Sequence, residues 1–156
     1  MDKKIILKLK EETGAGVMDV KKALEEFKDD YEQAKVALVK KGMAKAEKKA
    51  DREIKAGLVY SYIHAAEKDT NGGKLGVLVK VGCETDFVAK TADFTNLCKE
   101  LALQISAMDP KNVDELLKQD YIRDPSKKVE ILVKETIAKV GENIQVAEFA
   151  RLGILI

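Results

Sequence analysis

Leu75-Gly-Val-Leu-Val-Lys-Val-Gly-Cys83 places Val77, Val79, Val81 and Cys83 at every second position, the period of a strand with one face in a core. Upstream, Leu58-Val-Tyr-Ser-Tyr-Ile-His-Ala65 has the same strand-forming character, and the polar stretch between the two ends in Asn71-Gly72-Gly73. Two such runs around a glycine turn predict an antiparallel hairpin. Downstream the period becomes helical: Phe94, Leu97, Cys98, Leu101, Ile105 and Met108 form one stripe, with Asp93 as the expected cap and Asp109-Pro110 as the stop. After a short segment carrying Val113, Leu116 and Leu117, Asp124-Pro125 is expected to open another helix. That helix buries Val129, Leu132, Val133, Ile137 and Val140 and is closed by Gly141. Asn143–Leu152 then reads as a third strand. The fold class is α+β, a three-stranded antiparallel sheet with helices on one face, in a core domain spanning residues 57–156.

Residues 1–42 have a different pattern, that of three short helices. Ile5, Ile6 and Leu9 mark the first, which stops at Thr13-Gly-Ala-Gly16; Val17, Val20, Leu24 and Phe27 mark the second. Asp29-Asp30 interrupts the pattern, Asp30 and Gln33 form a capping box, and Ala34, Ala37 and Leu38 mark a third helix with Gly42 as its expected end. So small a unit has a thin core, which suits a binding module better than an active-site scaffold. Residues 43–56 alternate Ala with charged residues and are expected to be a solvated helical linker. The lysines between Lys35 and Lys55 give this region a local positive excess, which allows a second reading as a phosphate-binding patch.

Composition narrows the function. Across 156 residues, 28 Lys+Arg stand against 27 Asp+Glu, so no net field drives the molecule onto nucleic acid. The apolar stretch Leu75–Val79 is far short of the roughly 20 residues that span a bilayer. Met1-Asp-Lys-Lys-Ile-Ile-Leu-Lys meets charge before a secretory apolar region can form, so a cytoplasmic protein is expected, with an organelle matrix as the alternative. Cys83, Cys98 and the single His64 lack metal-ligand spacing, and no metal or cofactor is expected. Gly14-Ala-Gly16-Val-Met-Asp19 is not a dinucleotide fingerprint, because Asp19 stands at the third glycine position and the segment joins two helices. His64 is expected to be a half-exposed strand residue and Cys83 a small core residue. No acid/base pair stands out, so the chain is not expected to be an enzyme.

One segment resists a purely structural account. Cys83-Glu-Thr-Asp-Phe-Val-Ala-Lys90 sets an acid and a large aromatic side by side between a strand and a helix. Loops held by a rigid scaffold carry recognition, and an aromatic beside a charge is a suitable anchor. Phe87 can equally fold back as a hydrophobic staple on the next helix, and the residues alone leave both readings open.

Three segments carry a family resemblance: Thr13-Gly-Ala-Gly-Val-Met-Asp-Val-Lys-Lys-Ala-Leu24, Glu84-Thr-Asp-Phe-Val-Ala-Lys90 and Lys139-Val-Gly-Glu-Asn-Ile144. In order and content they resemble the signature segments of elongation factor Ts, and the likeness runs from about Ile5 to Leu152. The resemblance implies a ubiquitin-associated-type module over residues 1–42 and the family's core domain after the linker. It implies a guanine nucleotide exchange factor for elongation factor Tu. Thr85, Asp86, Phe87 and Val88 would form the wedge near the GTPase's magnesium and phosphate site, and Val17, Met18 and Lys21 would grip another of its helices.

Two departures from the family pattern shape further expectations. The stretch between Met108 and Lys139 is too short for the second subdomain or longer helical segment that members carry. Members with a single core subdomain dimerise through their sheets, and the final strand ends in the apolar Leu152-Gly-Ile-Leu-Ile156, so a homodimer and a two-plus-two complex with the GTPase are expected. Ala147, Glu148 and Ala150 stand where similar short members have basic residues and a cysteine, so no intersubunit disulfide is implied. The competing reading is an RNA- or ribosome-associated module using the lysine-rich linker; the family reading expects no direct nucleic-acid contact.

Overall fold

The computed structural model describes residues 2–154. Its main sheet has β2 (Leu75–Cys83) at the centre, flanked by β1 (Ala56–His64) and β5 (Ile144–Gly153), all antiparallel. The alternation in β2 has the expected consequence. Val77, Val79, Val81 and Cys83 are buried on one face, and Val79 lies between Tyr60 and Phe149 on the neighbouring strands. Onto this face pack α5 (Ala92–Met108), through Phe94, Leu97, Leu101 and Ile105, and α7 (Val129–Val140), through Val129, Val133 and Ile137. The opposite face has no helix over it among the described residues and exposes Val59, Leu78 and Leu152. The terminal pair Leu155 and Ile156, the end of the expected apolar tail, lies outside the described residues.

A second, smaller core joins α1 (Lys3–Thr13), α2 (Val17–Glu26) and α3 (Tyr31–Lys48) through Ile6, Leu9, Val20, Leu24, Ala34 and Leu38. Its helix ends follow the sequence signals. Asp30 Oδ1 accepts the Gln33 N–H at 3.0 Å, and Gly14 closes α1 in the left-handed region at φ 69°.

Several expectations need correction. Gly42 does not end α3; it lies inside the helix, where a Cβ would come within 3.3 Å of Ala138 Cβ on α7. The residue is small because two helices meet there, and α3 runs on to Lys48. The linker is therefore not wholly solvated, since Ala46 is buried in the larger core. Thr91, not Asp93, caps α5, its hydroxyl accepting the Phe94 N–H at 3.3 Å. Asp124-Pro125 opens no helix. Asp124–Lys128 is a strand, β4, paired with β3 (Asp120–Tyr121), and α7 begins after Lys128. Pro is tolerated in such a two-stranded ribbon because only one side of β4 needs its N–H groups. The ribbon is held on α5 by buried polar groups: Gln104 accepts the Ile122 N–H at 3.0 Å, and Glu100 accepts from Tyr121 Oη and Arg123 Nε, each at 2.6 Å. In chain order α6 (Val113–Lys118) falls between α5 and the ribbon, and a single turn, α4 (Asp86–Ala89), follows β2.

Candidate functional site

Where β2 ends, its ladder bonds run out, and side chains take over the backbone. Thr85 is the cap of α4, its hydroxyl accepting the Val88 N–H at 3.3 Å. Cys83 Sγ donates to the Thr85 carbonyl at 3.2 Å, and the Thr91 hydroxyl donates to the Val88 carbonyl at 2.7 Å. Val88 is 4% exposed and Ala89 is also buried, so the turn is nailed to the core from below. Phe87, between Asp86 and Val88, is 81% exposed. It does not fold back as a staple. Burying a Phe is worth roughly 1.5–3 kcal/mol, so this turn forgoes that gain while its neighbours take it.

The expected wedge residues thus divide. Asp86 and Phe87 stand outward, Thr85 shapes the turn, and Val88 faces inward and is buried. On α2, Val17, Met18 and Lys21 lie at i, i+1 and i+4 on the exposed face, opposite buried Val20, Ala23 and Leu24. Met18 is 65% exposed.

The third signature segment meets both of the others. Glu142 Oε1 accepts the Glu84 N–H at 3.2 Å and the Thr85 N–H at 3.0 Å, while Oε2 accepts the Thr85 hydroxyl at 2.7 Å. In return Glu84 accepts the Asn143 backbone N–H at 2.7 Å and lies 3.7 Å from the Arg52 guanidinium. The Asn143 amide is buried and donates to the carbonyls of Ala50 and Arg52, at 3.2 and 2.9 Å. One helical turn earlier, Lys139 packs on the glycine loop before α2: a Cβ at Gly14 would overlap the Lys139 side chain and come within 3.0 Å of its Cα. Glu142 and Asn143 stand within the third signature segment, where the sequence assigns neither a functional role. Only their polar character at a chain reversal hinted at one.

The lysine-rich segment is partly committed within the fold. Lys41 and Lys45 both bond Asp19, at 2.8 and 3.1 Å, and hold its carboxyl below the ordinary carboxylate range. His64 is an exposed strand residue whose Nδ1 lies 2.9 Å from Tyr62 Oη. Burial, first of all, raises the thiol pKa of Cys83 and pushes that of Cys98 up to about 12. Among the described residues no group of three or more His, Cys, Asp or Glu is placed to hold a metal ion, and no helix is long and apolar enough to cross a membrane.

Fold and surface together define an α+β protein with a three-helix amino-terminal segment, distinguished by an exposed Phe87 on a well-fixed turn and exposed Val17 and Met18 on α2. The family model described as Elongation factor TS matches residues 84–154. An elongation factor Ts from Coprothermobacter proteolyticus is 41% identical over 192 aligned positions, covering 94% of each chain. One from Thermotoga neapolitana is 40% identical and covers 94% of this chain and 93% of its own. One from Nostoc is 47% identical over 97% of this chain, which spans 46% of that longer relative. The chain belongs to the elongation factor Ts family. The 192 aligned positions exceed the 156 residues here, so the Coprothermobacter relative carries a stretch this chain lacks.

Proposed function

We propose that this chain carries out its family's activity, guanine nucleotide exchange on elongation factor Tu during translation elongation, by pressing Phe87 into the GTPase beside its magnesium and phosphate site. The observation that carries this reading is the 81% exposure of Phe87 on a turn whose flanking residues are fixed by hydrogen bonds and burial. A pre-formed turn loses little freedom on binding, so more of the binding energy is available to displace the partner's phosphate-holding groups. A thousandfold faster GDP release needs about 4 kcal/mol at roughly 1.4 per factor of ten. Asp86 acts electrostatically on the magnesium surroundings, and Val17, Met18 and Lys21 supply a second hold from the module over residues 1–42. Residues 43–56, which comprise the last turns of α3 and the stretch into β1, join that module to the unit over residues 57–156. No covalent bond changes, so the chain is an exchange factor and not an enzyme. It acts in the cytoplasm, without contacting nucleic acid.

Coupling is reciprocal: the factor by which the exchanger weakens GDP is the factor by which GDP weakens the exchanger. The test is capture of elongation factor Tu on the immobilised chain, with and without excess GDP. Retention only when nucleotide is scarce supports the reading; retention indifferent to GDP contradicts it.

The same proposal includes a homodimer. The open sheet face aligns Ser61, Leu78 and Ala150 across one row and Ile63, Gly76 and Leu152 across the next, with the Lys80–Glu148 pair beside them at 3.7 Å. A second copy supplies the same apolar rows and the opposite charges, which gives a two-plus-two complex with the GTPase.

A further inference from the structure

We infer that Glu142 is a positioning residue for exchange: from the end of α7 it fixes the backbone from which Phe87 projects, without itself meeting the partner. The inference rests on the reading of Phe87 as the wedge. Glu142 takes three hydrogen bonds, all from Glu84 and Thr85, at 2.7 to 3.2 Å. Thr85 is the cap from which α4 starts, so the carboxylate holds the root of the turn while Val88 holds its underside. The two N–H groups it accepts lie beyond Cys83, the last β2 residue paired to β1 and β5. In β-sheet terms they are orphan donors, and Glu142 replaces the missing strand.

The clasp is doubled and anchored. Glu84 returns a bond to the Asn143 N–H at 2.7 Å, and the buried Asn143 amide bonds the carbonyls of Ala50 and Arg52 just after α3. The corner at 142–143 therefore ties the Phe87 turn to the end of α3, and Lys139 in the same helix end rests on Gly14, three residues before Val17. Two proposed contact points far apart in sequence are referred to one short frame. Fixing their separation beforehand removes an ordering cost that the complex would otherwise meet on binding.

A double-mutant cycle tests this, read as release of a fluorescent GDP analogue from elongation factor Tu in stopped flow. Glu142→Ala is expected to lower stimulated release about fivefold and to speed hydrogen exchange at the amides of residues 84–88 ahead of the rest of the chain. Glu142→Gln, which keeps a carbonyl oxygen for the N–H groups and offers its amide to the Thr85 hydroxyl, is expected to restore release. In a Phe87→Ala background, Glu142→Ala is expected to change nothing further. Full release by Glu142→Ala beside a defective Phe87→Ala overturns the positioning role alone; an undiminished Glu142 effect in the Phe87→Ala background does the same. Full release by Phe87→Ala overturns the wedge reading itself. Should Glu142→Ala not fold, Glu142→Asp, which draws the carboxylate back by one methylene, takes its place in the same cycle with the same outcomes.

Discussion

Gly14 sits so close to Lys139 that a Cβ on it would come within 3.0 Å of the lysine Cα, and it does so at φ 69°. The glycine loop before α2 thereby seats on the last turn of α7. Gly14→Ala meets both obstacles: the left-handed conformation costs about 1–2 kcal/mol for a side-chain-bearing residue, and Lys139 must move as well. Chemical denaturation is expected to show a lower midpoint for Gly14→Ala, with α2 amides exchanging faster. An unchanged midpoint would mean the loop does not rest on α7.

Gly42 makes the companion contact with Ala138 on α7. A large side chain there must part the helices, and overpacking of this kind typically costs about 1–3 kcal/mol. Gly42→Leu is expected to lower stability by that order while leaving helix content unchanged in circular dichroism. Full stability would show that α3 does not need this approach.

Asp19 joins α2 to α3 through Lys41 and Lys45, whose hydrogen bonds lower its pKa. Because the folded-state pKa lies below the unfolded value, the stabilisation is present above the ordinary carboxylate range. It disappears as pH falls through the lowered value, in the region below about pH 4. The stability difference between the native chain and Asp19→Asn is therefore expected to be present at pH 6, to vanish in acid, and to shrink with salt because both lysines are half exposed. A difference that grows on acidification would reverse the sign of the coupling.

Burial dominates the raised pKa values of Cys83 and Cys98, the latter reaching about 12. Thiolate is the reactive form, so alkylation of the folded chain at pH 8 is expected to be slow and to follow unfolding. Rapid labelling of Cys83 without unfolding would show that its burial does not shield the thiol.

Much of this fold was legible because its patterns are local. The alternation of Val77, Val79 and Val81 sufficed for the central strand, and Gly141 ended α7 as its position suggested. The failures were non-local. Gly42 after an apolar stripe reads as a helix stop, and only Ala138 explains why the helix continues. Asp124-Pro125 carries a helix-start signal that the pairing of β4 with β3 overrides. Phe87 is the sharpest case: the residues leave staple and anchor both open, and what excludes the staple is its exposure on a turn held by Glu142, 57 positions beyond Thr85.

The open sheet face leads to an expectation about assembly. Light scattering at several concentrations should give twice the chain mass, and Leu78→Asp should return it to one. A monomer at tens of micromolar would remove the dimer from the account.

Stimulated release of a fluorescent GDP analogue from elongation factor Tu by Phe87→Ala tests the central claim most directly. Because the side chain is 81% exposed, its loss should shift stability by no more than about 0.5 kcal/mol, leaving a folded protein to assay. The account predicts at least a tenfold slower stimulated release with the thermal midpoint unchanged. Release at the native rate would contradict it.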